Sequence, residues 1–233
     1  MKKFLIYNVK KNIKNDFCLK WHKICFVLNT KYYVMKKLVL MLALTVSLFS
    51  CKTQNETTEL SLTQEEENDL LFLREEEKLA RDVYLYAYDK YNFQVFANIA
   101  GSEQNHMDAV LALLEKYGLS DPASQVRGEF TNPDLQALYD QLTARVDVSL
   151  LEALKVGATI EDLDINDIET FKDNTDKSDL LSVYGRLECG SRNHMRSFYA
   201  ELLTQGFTYT AQYISQQELE AIVNSTREQC GMY

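Results

Sequence analysis

Apolar residues recur with a helical period over most of the chain after residue 62. Thr63-Gln64-Glu65-Glu66 has the form of a capping box, which opens a helix predicted to run to about residue 90. The apolar stripe of this helix includes one acidic residue, where an unpartnered carboxylate would be unfavourable. The stripe consists of Leu70, Leu73, Glu77, Ala80, Tyr84 and Ala87.

The same period predicts three further long helices and two short ones. Asn92 is expected to cap the second helix, which runs to about Tyr117 and ends at Gly118. Glu103 and His106 interrupt its apolar stripe. The remaining predicted elements are a loop over 119–131, a short helix over 132–145, a long helix capped by Ser149 and ending near Phe171, a long helix over 177–205, and a short helix over 216–224.

The connection between the second and third long helices decides the predicted topology. It is long and contains its own short helix, whereas short loops join helices that pack as antiparallel neighbours. Two prolines and eight glycines in the whole chain also favour helices. We therefore predict an all-α fold: a four-helix bundle over residues 63–225, with a long crossover containing a short helix, followed by a tail over 226–233.

Residues 35–50 have the organisation of a secretory signal peptide. Residues 35–37 supply the positive start, and twelve mostly apolar residues follow at 38–49, too few to span a bilayer. The Leu-Phe-Ser-Cys string that ends at Cys51 resembles the bacterial lipobox, which implies lipidation of Cys51 and makes the polar residues 51–62 a tether. The alternative is an ordinary cleavage site with an incidental cysteine.

Residues 1–34 do not fit this organisation, because a signal peptide stands at the N-terminus of its chain. They are rich in lysine and show no clear period. We hypothesise that translation starts at Met35 and that residues 1–34 are not part of the natural protein. A real, poorly ordered extension is the alternative, and any native peptide from residues 1–34 found by mass spectrometry would support it.

Charge and cysteine content exclude some classes of protein. Residues 1–50 hold ten lysines and one acidic residue, so the rest of the chain has 15 basic against 33 acidic residues, a net charge of −18. Such a protein is a poor partner for nucleic acid. The five cysteines, at 18, 25, 51, 189 and 230, show no paired spacing. The sequence therefore indicates neither a zinc ribbon nor a disulfide framework.

Two of the three histidines lie in polar patches on predicted helices, about 90 residues apart. Glu103 and His106 are one turn apart on one face of the second helix, and His194 lies on the fourth long helix. Glu77 is the natural partner from the first helix. Carboxylates and imidazoles inside an apolar bundle are typical of a dinuclear metal site. The alternative is a hydrogen-bonded polar layer without a metal.

The third and fourth long helices supply the remaining candidates. Glu161 and Asp164 are one turn apart, and periodicity does not settle which points inward; we favour Glu161. One turn before His194, where a Glu-x-x-His pair would place a carboxylate, the residue is Ser191. The predicted site is therefore short of one carboxylate. Its ligands are Glu77, Glu103, His106, Glu161 and His194, a set of oxygen and imidazole donors that suits iron, manganese or zinc.

Four strings, at 74–84, 96–107, 153–165 and 190–198, resemble in order a ferritin-like family known as domain of unknown function 2202, over about residues 66–225. The resemblance implies a ferritin-like fold, distantly similar to rubrerythrins. Those proteins hold two irons with Glu on the first helix, Glu-x-x-His on the second, Glu on the third and Glu-x-x-His on the fourth. Residue by residue, this pattern again selects Glu77, Glu103, His106, Glu161 and His194, and Ser191 departs from it. The cysteine module of rubrerythrins is absent, so no built-in electron donor is expected.

Together these expectations describe a protein of the bacterial cell envelope, anchored to the membrane by a lipid at Cys51 and periplasmic or surface-facing. Iron, as one or two ions, is the expected cofactor, and manganese or zinc is the alternative. The expected activity is of the ferroxidase or peroxidase type, with peroxide or oxygen as oxidant; the alternative is a non-enzymatic metal-binding or structural bundle. Tyr84 and Tyr184 are candidates for electron relay, although packing is the ordinary role of a buried tyrosine. A homodimer is compatible with such a bundle.

Overall fold

The computed structural model describes residues 61–231, and this part of the chain is all-helical. Its six helices begin and end within two residues of the predicted bounds, so the prediction that this part of the chain is all-α is confirmed. The four long helices are α1 (Gln64–Tyr91), α2 (Gln94–Tyr117), α4 (Leu150–Asp173) and α5 (Ser178–Thr204), and the two short ones are α3 (Pro133–Val146) and α6 (Gln216–Val223).

Side-chain caps determine where the helices begin. Thr63 forms the predicted capping box at the start of α1, and Asn132 and Ser149 cap α3 and α4. The prediction that Asn92 caps α2 is wrong. Asn92 instead ends α1 in the left-handed conformation, at φ 47°, and Phe93 precedes α2 without a side-chain hydrogen bond. Asparagine is common in both positions, because it caps N-termini and also tolerates left-handed backbone.

The long helices pack chiefly as two pairs, α1 against α2 and α4 against α5. Two apolar clusters fill the interior, one around Tyr84 and Phe198 and the other around Leu70 and Tyr184. Along α1 and α2, the predicted site residues lie between positions that belong to the two clusters. This arrangement is consistent with the predicted four-helix bundle.

Buried charges on α1 anchor the crossover between α2 and α4. The ammonium of Lys78 is 2.6 Å from the Asp82 carboxylate and donates to two carbonyl oxygens of the crossover, at 3.0 and 3.1 Å. Glu75 accepts two backbone N–H groups just before α3, at 2.6 and 2.9 Å. Hydrogen bonds to ionised groups are stronger than those between neutral groups. Lys78 and Glu75 are therefore buried with partners for their charges.

A disulfide joins α5 to the C-terminal tail, between Cys189 and Cys230. The prediction of no disulfide framework is therefore wrong for this pair. Its two cysteines are 41 residues apart and meet only because the tail folds back along α5. Spacing along the sequence carries no sign of that return. The tail is also held by Glu228, which forms ion pairs with Arg192 and Arg196 at 2.6 and 2.7 Å.

None of the helices within residues 61–231 combines the length and the apolar composition needed to cross a membrane. The predicted signal peptide, the lipidation site at Cys51 and the start at Met35 lie outside the described residues. They stay predictions.

Candidate metal centre

Four helices bring the five predicted ligands into the interior of the described fold. Each of the five side chains is at most 4 % exposed, although all are polar or ionisable. They are Glu77 from α1, Glu103 and His106 from α2, Glu161 from α4 and His194 from α5. Such a group is tolerated in a core only when its members satisfy one another or bind an ion.

Glu103 lies between the two histidines. Its Oε2 is 2.8 Å from Nδ1 of His106, and its Oε1 is 2.9 Å from Nδ1 of His194. Each of these three residues offers one ligand atom, and the three atoms lie within 4.8 Å of one another. The three side chains could therefore hold a metal ion.

A second carboxylate lies near the same nitrogen of each histidine. Oε2 of Glu77 is 3.2 Å from Nδ1 of His106, and Oε2 of Glu161 is 3.4 Å from Nδ1 of His194. The two imidazole rings stack with their centroids 5.4 Å apart and an interplanar angle of 29°. Nδ1 of each imidazole is therefore close to the shared Glu103 and to one further carboxylate.

Asp164 places a buried carboxylate against Ser191. The choice between Glu161 and Asp164 was left open by periodicity, and the structure buries both of them. The Ser191 hydroxyl donates to Oδ2 of Asp164, so a carboxylate from α4 stands against the place where the rubrerythrin pattern has a glutamate on α5. The other oxygen of Asp164 is buried and accepts no hydrogen bond.

The centre holds more carboxylates than hydrogen-bond donors. Glu77, Glu103 and Asp164 each have one buried oxygen that accepts no hydrogen bond, and Nδ1 of His194 makes none, although Oε1 of Glu103 is 2.9 Å away. Buried oxygens and an imidazole nitrogen without donors or acceptors are the atoms that a metal cation would engage. The residues therefore fit a bound metal cation.

The charges of these groups depend strongly on one another. Burial raises the pKa values of Glu77 and Glu161 to about 7, against the opposing charges of their histidine neighbours. Burial would also raise the pKa of Glu103, but the charges of His194 and His106 lower it below its ordinary value. Burial opposes protonation of His194, yet Glu103 and Glu161 raise its pKa to about 10. The protein alone thus balances its carboxylates with protons on imidazole, and a cation would replace those protons.

Three further residues shape the centre, and the sequence reasoning did not select two of them. The hydroxyl of Tyr84, a candidate, donates to Oε1 of Glu161 at 2.5 Å. Ser102 lies 2.9 Å from Nε2 of His194. Gly190 packs on His106 so closely that a Cβ there would collide with Nε2 and Cε1 of the ring. Their only sequence signal was small or polar residues at helical spacing beside the ligands.

Glu76 is a third residue near the centre that was not among the sequence candidates. Glu76 is 3 % exposed, neither of its oxygens accepts a hydrogen bond, and its burial and the charges of Asp164 and Asp167 hold its pKa well above the usual range. Its sequence signal was its place in the run of three glutamates at 75–77.

Tyr184 lies away from the centre. It packs against Phe171 in the second apolar cluster, and its hydroxyl makes no hydrogen bond. Tyr184 is therefore a core residue.

A pocket of about 220 Å³ leads to the histidine side of the centre. It is lined by both histidines and by Ser102, Gly190 and Asn193, and the C-terminal tail forms its outer wall with Arg227, Glu228 and Cys230. The volume admits only small molecules. Peroxide, dioxygen and hydrated ions are of that size class.

Three comparisons place the chain among known proteins that are described as uncharacterized or hypothetical. A family model described as an uncharacterized protein domain, DUF2202, matches residues 66–226. The uncharacterized protein MJ0754 of Methanocaldococcus jannaschii is 52 % identical over 168 residues, which cover 72 % of this chain and 91 % of that protein. The crystal structure of the hypothetical protein MJ0754 superposes with a TM-score of 0.71, covering 72 % of this chain and 97 % of that one.

Proposed function

The chain belongs to the DUF2202 family, and we propose that its bundle is a ferritin-like metal centre that carries out iron-dependent redox chemistry with peroxide or oxygen. The observation that supports this proposal is Glu103 standing between His106 and His194, with one further glutamate beside each histidine. Two histidines and several carboxylates projecting inward from four helices are the donor set of di-iron carboxylate proteins.

The proposed ligands divide into a shared residue and two sets. Glu103, His106 and Glu77 would hold one ion, and Glu103, His194 and Glu161 would hold a second. Asp164, which accepts a hydrogen bond from Ser191, would supply the carboxylate that is missing at position 191. When bound, iron supplies one-electron chemistry between its two common oxidation states.

Neighbouring residues hold the ligands in the orientation that binding needs. Nδ1 of His194 faces Glu103 and Glu161, and Nε2 lies 2.9 Å from the Ser102 hydroxyl, a contact that would fix the orientation of the ring. Tyr84 donates to Oε1 of Glu161 and leaves Oε2 directed at His194. Gly190 gives His106 room to stack on His194. The pocket beside the histidines would admit the oxidant while the apolar clusters exclude bulk water.

We also propose that the protein is exported and anchored at the cell envelope through Cys51. The signal-peptide pattern at residues 35–50 and the lipobox-like string at Cys51 support this location. The disulfide between Cys189 and Cys230 supports it independently, because disulfides persist mainly in oxidising compartments.

Metal analysis tests the binding half of the proposal. The protein, purified without a chelating tag, is loaded with Fe(II), and iron per chain is measured beside the Glu103→Gln variant. Glu103→Gln should lose iron, because the shared carboxylate becomes a neutral amide. Glu115→Gln is the matched control, since Glu115 is an exposed glutamate on the same helix. Equal iron in wild type and Glu103→Gln would contradict the site.

Peroxide oxidation tests the redox half. Absorbance of the Fe(II)-loaded protein is followed after peroxide is added, with free Fe(II) in the same buffer as reference. We expect oxidation faster than that of free iron, and its loss in His194→Ala. Oxidation no faster than in buffer would leave the metal-binding alternative, in which the same donors hold zinc without turnover.

A further inference from the structure

We propose that Cys189 and Cys230 are a redox-active pair that supplies two electrons to the oxidant reduced at the metal centre. The inference rests on the proposed function, because it needs an oxidant to reach that centre. The sequence offered no electron donor of the rubrerythrin kind. The disulfide places two sulfur atoms where such a donor would be required.

The disulfide lies at the histidine side of the centre. Cys189 immediately precedes Gly190, whose backbone packs against the ring of His106. Cys230 lines the same pocket as His106 and His194. A small oxidant in this pocket is therefore in reach of the imidazoles and of a sulfur at once.

The tail would keep Cys230 near Cys189 after the disulfide is reduced. Glu228 pairs with Arg192 and Arg196, and its backbone N–H and carbonyl both bond to the side chain of Asn193, at 2.9 and 3.1 Å. These contacts do not depend on the S–S bond. The two thiols would remain neighbours, so the disulfide can form again without refolding of the tail.

The surroundings of Cys230 favour thiol chemistry. Asn193 directs its Nδ2 at Sγ of Cys230, 3.1 Å away, and Arg227 lines the same pocket. A hydrogen-bond donor and a cation both stabilise a thiolate. Cys230 is half-buried while Cys189 is only 7 % exposed, so an external thiol would attack the sulfur of Cys230 and release that of Cys189.

The overall reaction balances with peroxide as the oxidant. Two thiols lose two electrons and two protons and form one S–S bond. Hydrogen peroxide accepts the electrons and protons, its O–O bond breaks, and two waters leave. An external dithiol then reduces the disulfide to two thiols by exchange and is itself oxidised to a disulfide.

The test counts the Cys189–Cys230 linkage directly. The full-length protein is reduced with a dithiol without oxygen, desalted, and divided into Fe(II)-loaded, zinc-loaded and metal-free samples, whose metal content is measured first. One equivalent of peroxide is added, free thiols are alkylated at intervals, and the linked peptide is quantified by mass spectrometry. We expect the linkage to return roughly tenfold faster or more in the iron sample, because binding at the centre brings the oxidant beside the sulfurs.

Two outcomes would overturn the inference while leaving the proposed function intact. One is iron and zinc samples, both fully loaded, that re-form the linkage at the same rate. The other is a linkage that the dithiol does not reduce while the protein stays folded, which would make it a structural disulfide. Failure of the protein to bind iron is seen in the metal analysis before peroxide is added, and it would refute the proposed function itself.

Discussion

At the scale of single residues, the hydroxyl of Tyr84 binds a proposed metal ligand, whereas the hydroxyl of Tyr184 does not. Both rings are fully buried, but only Tyr84 makes a hydrogen bond, to Glu161. We expect Tyr84→Phe to lower the free energy of unfolding by about 1 kcal/mol and metal affinity about tenfold, because the ligand Glu161 loses its orienting donor. Metal titration and thermal unfolding measure both effects.

Tyr184→Phe is the matched control for that experiment. Removing a buried hydroxyl that makes no hydrogen bond should leave metal affinity unchanged and stability unchanged or slightly raised. If both variants lose the same affinity, the effect comes from general core disturbance and not from Glu161.

The pair of Asp164 and Ser191 gives a second prediction at this scale. The rubrerythrin pattern alone would suggest that Ser191→Glu tightens metal binding. Because Asp164 already occupies that space, we expect Ser191→Glu by itself to bring two buried carboxylates together and weaken the fold. Adding Asp164→Ser should restore metal binding, since the double variant only exchanges the two positions. The test measures metal affinity and melting temperature in the two single variants and in the double variant. Tighter metal binding in Ser191→Glu alone would contradict this account.

At the scale of elements, the sequence predicted the features that depend on residues within one helical turn of each other. The helix ends at Thr63, Ser149 and Gly118 followed from caps that act within one turn. Asn92 was misplaced because one residue type serves both ends of a helix. The ligands of α1, α2 and α5 could be found because each interrupts an apolar stripe.

The features that were missed all depend on contacts between distant segments. The pairing of Asp164 with Ser191 requires the register between α4 and α5. The disulfide requires the return of the tail to α5. Neither register nor return leaves a periodic signal in one sequence, so helical spacing alone could not predict them.

Two glycines of α5 give a prediction about that helix. Gly190→Ala should displace His106, because the added methyl group would collide with its ring, and metal binding should fall. Gly185→Ala is the control: its methyl group meets nothing within 4 Å, so the same change should stabilise the helix by about 0.5–1 kcal/mol. Metal content and thermal unfolding of the two variants are compared, and normal metal content in Gly190→Ala would show that His106 is free to shift without losing its role.

At the scale of the whole molecule, the buried centre makes the stability of the metal-free protein depend on pH. Glu77 and Glu161 have pKa values raised from 4.5 to about 7, so they favour the folded state fully only below 4.5, and that contribution is lost as the pH rises through 7. His194 has a pKa raised from 6.5 to about 10, so its contribution is present below 6.5 and is lost as the pH rises through 10. All three act in the same direction over the neutral range.

We therefore expect the melting temperature of the metal-free protein to fall between about pH 5.5 and 8.5, and the rise caused by a bound metal to grow over the same range. The metal benefits because its ligands lose their protons as the pH increases. Glu228, whose pKa is lowered to about 2 mainly by Arg192, loses its contribution only in stronger acid and does not disturb the measurement.

Thermal unfolding is followed with a chelator and with zinc, which is not oxidised. Glu161→Gln is the comparison variant, because it should flatten the dependence without a metal. If the metal-free protein instead becomes more stable from acid to neutral pH, the pKa values of Glu77 and Glu161 are not raised in the folded state, and this account is wrong.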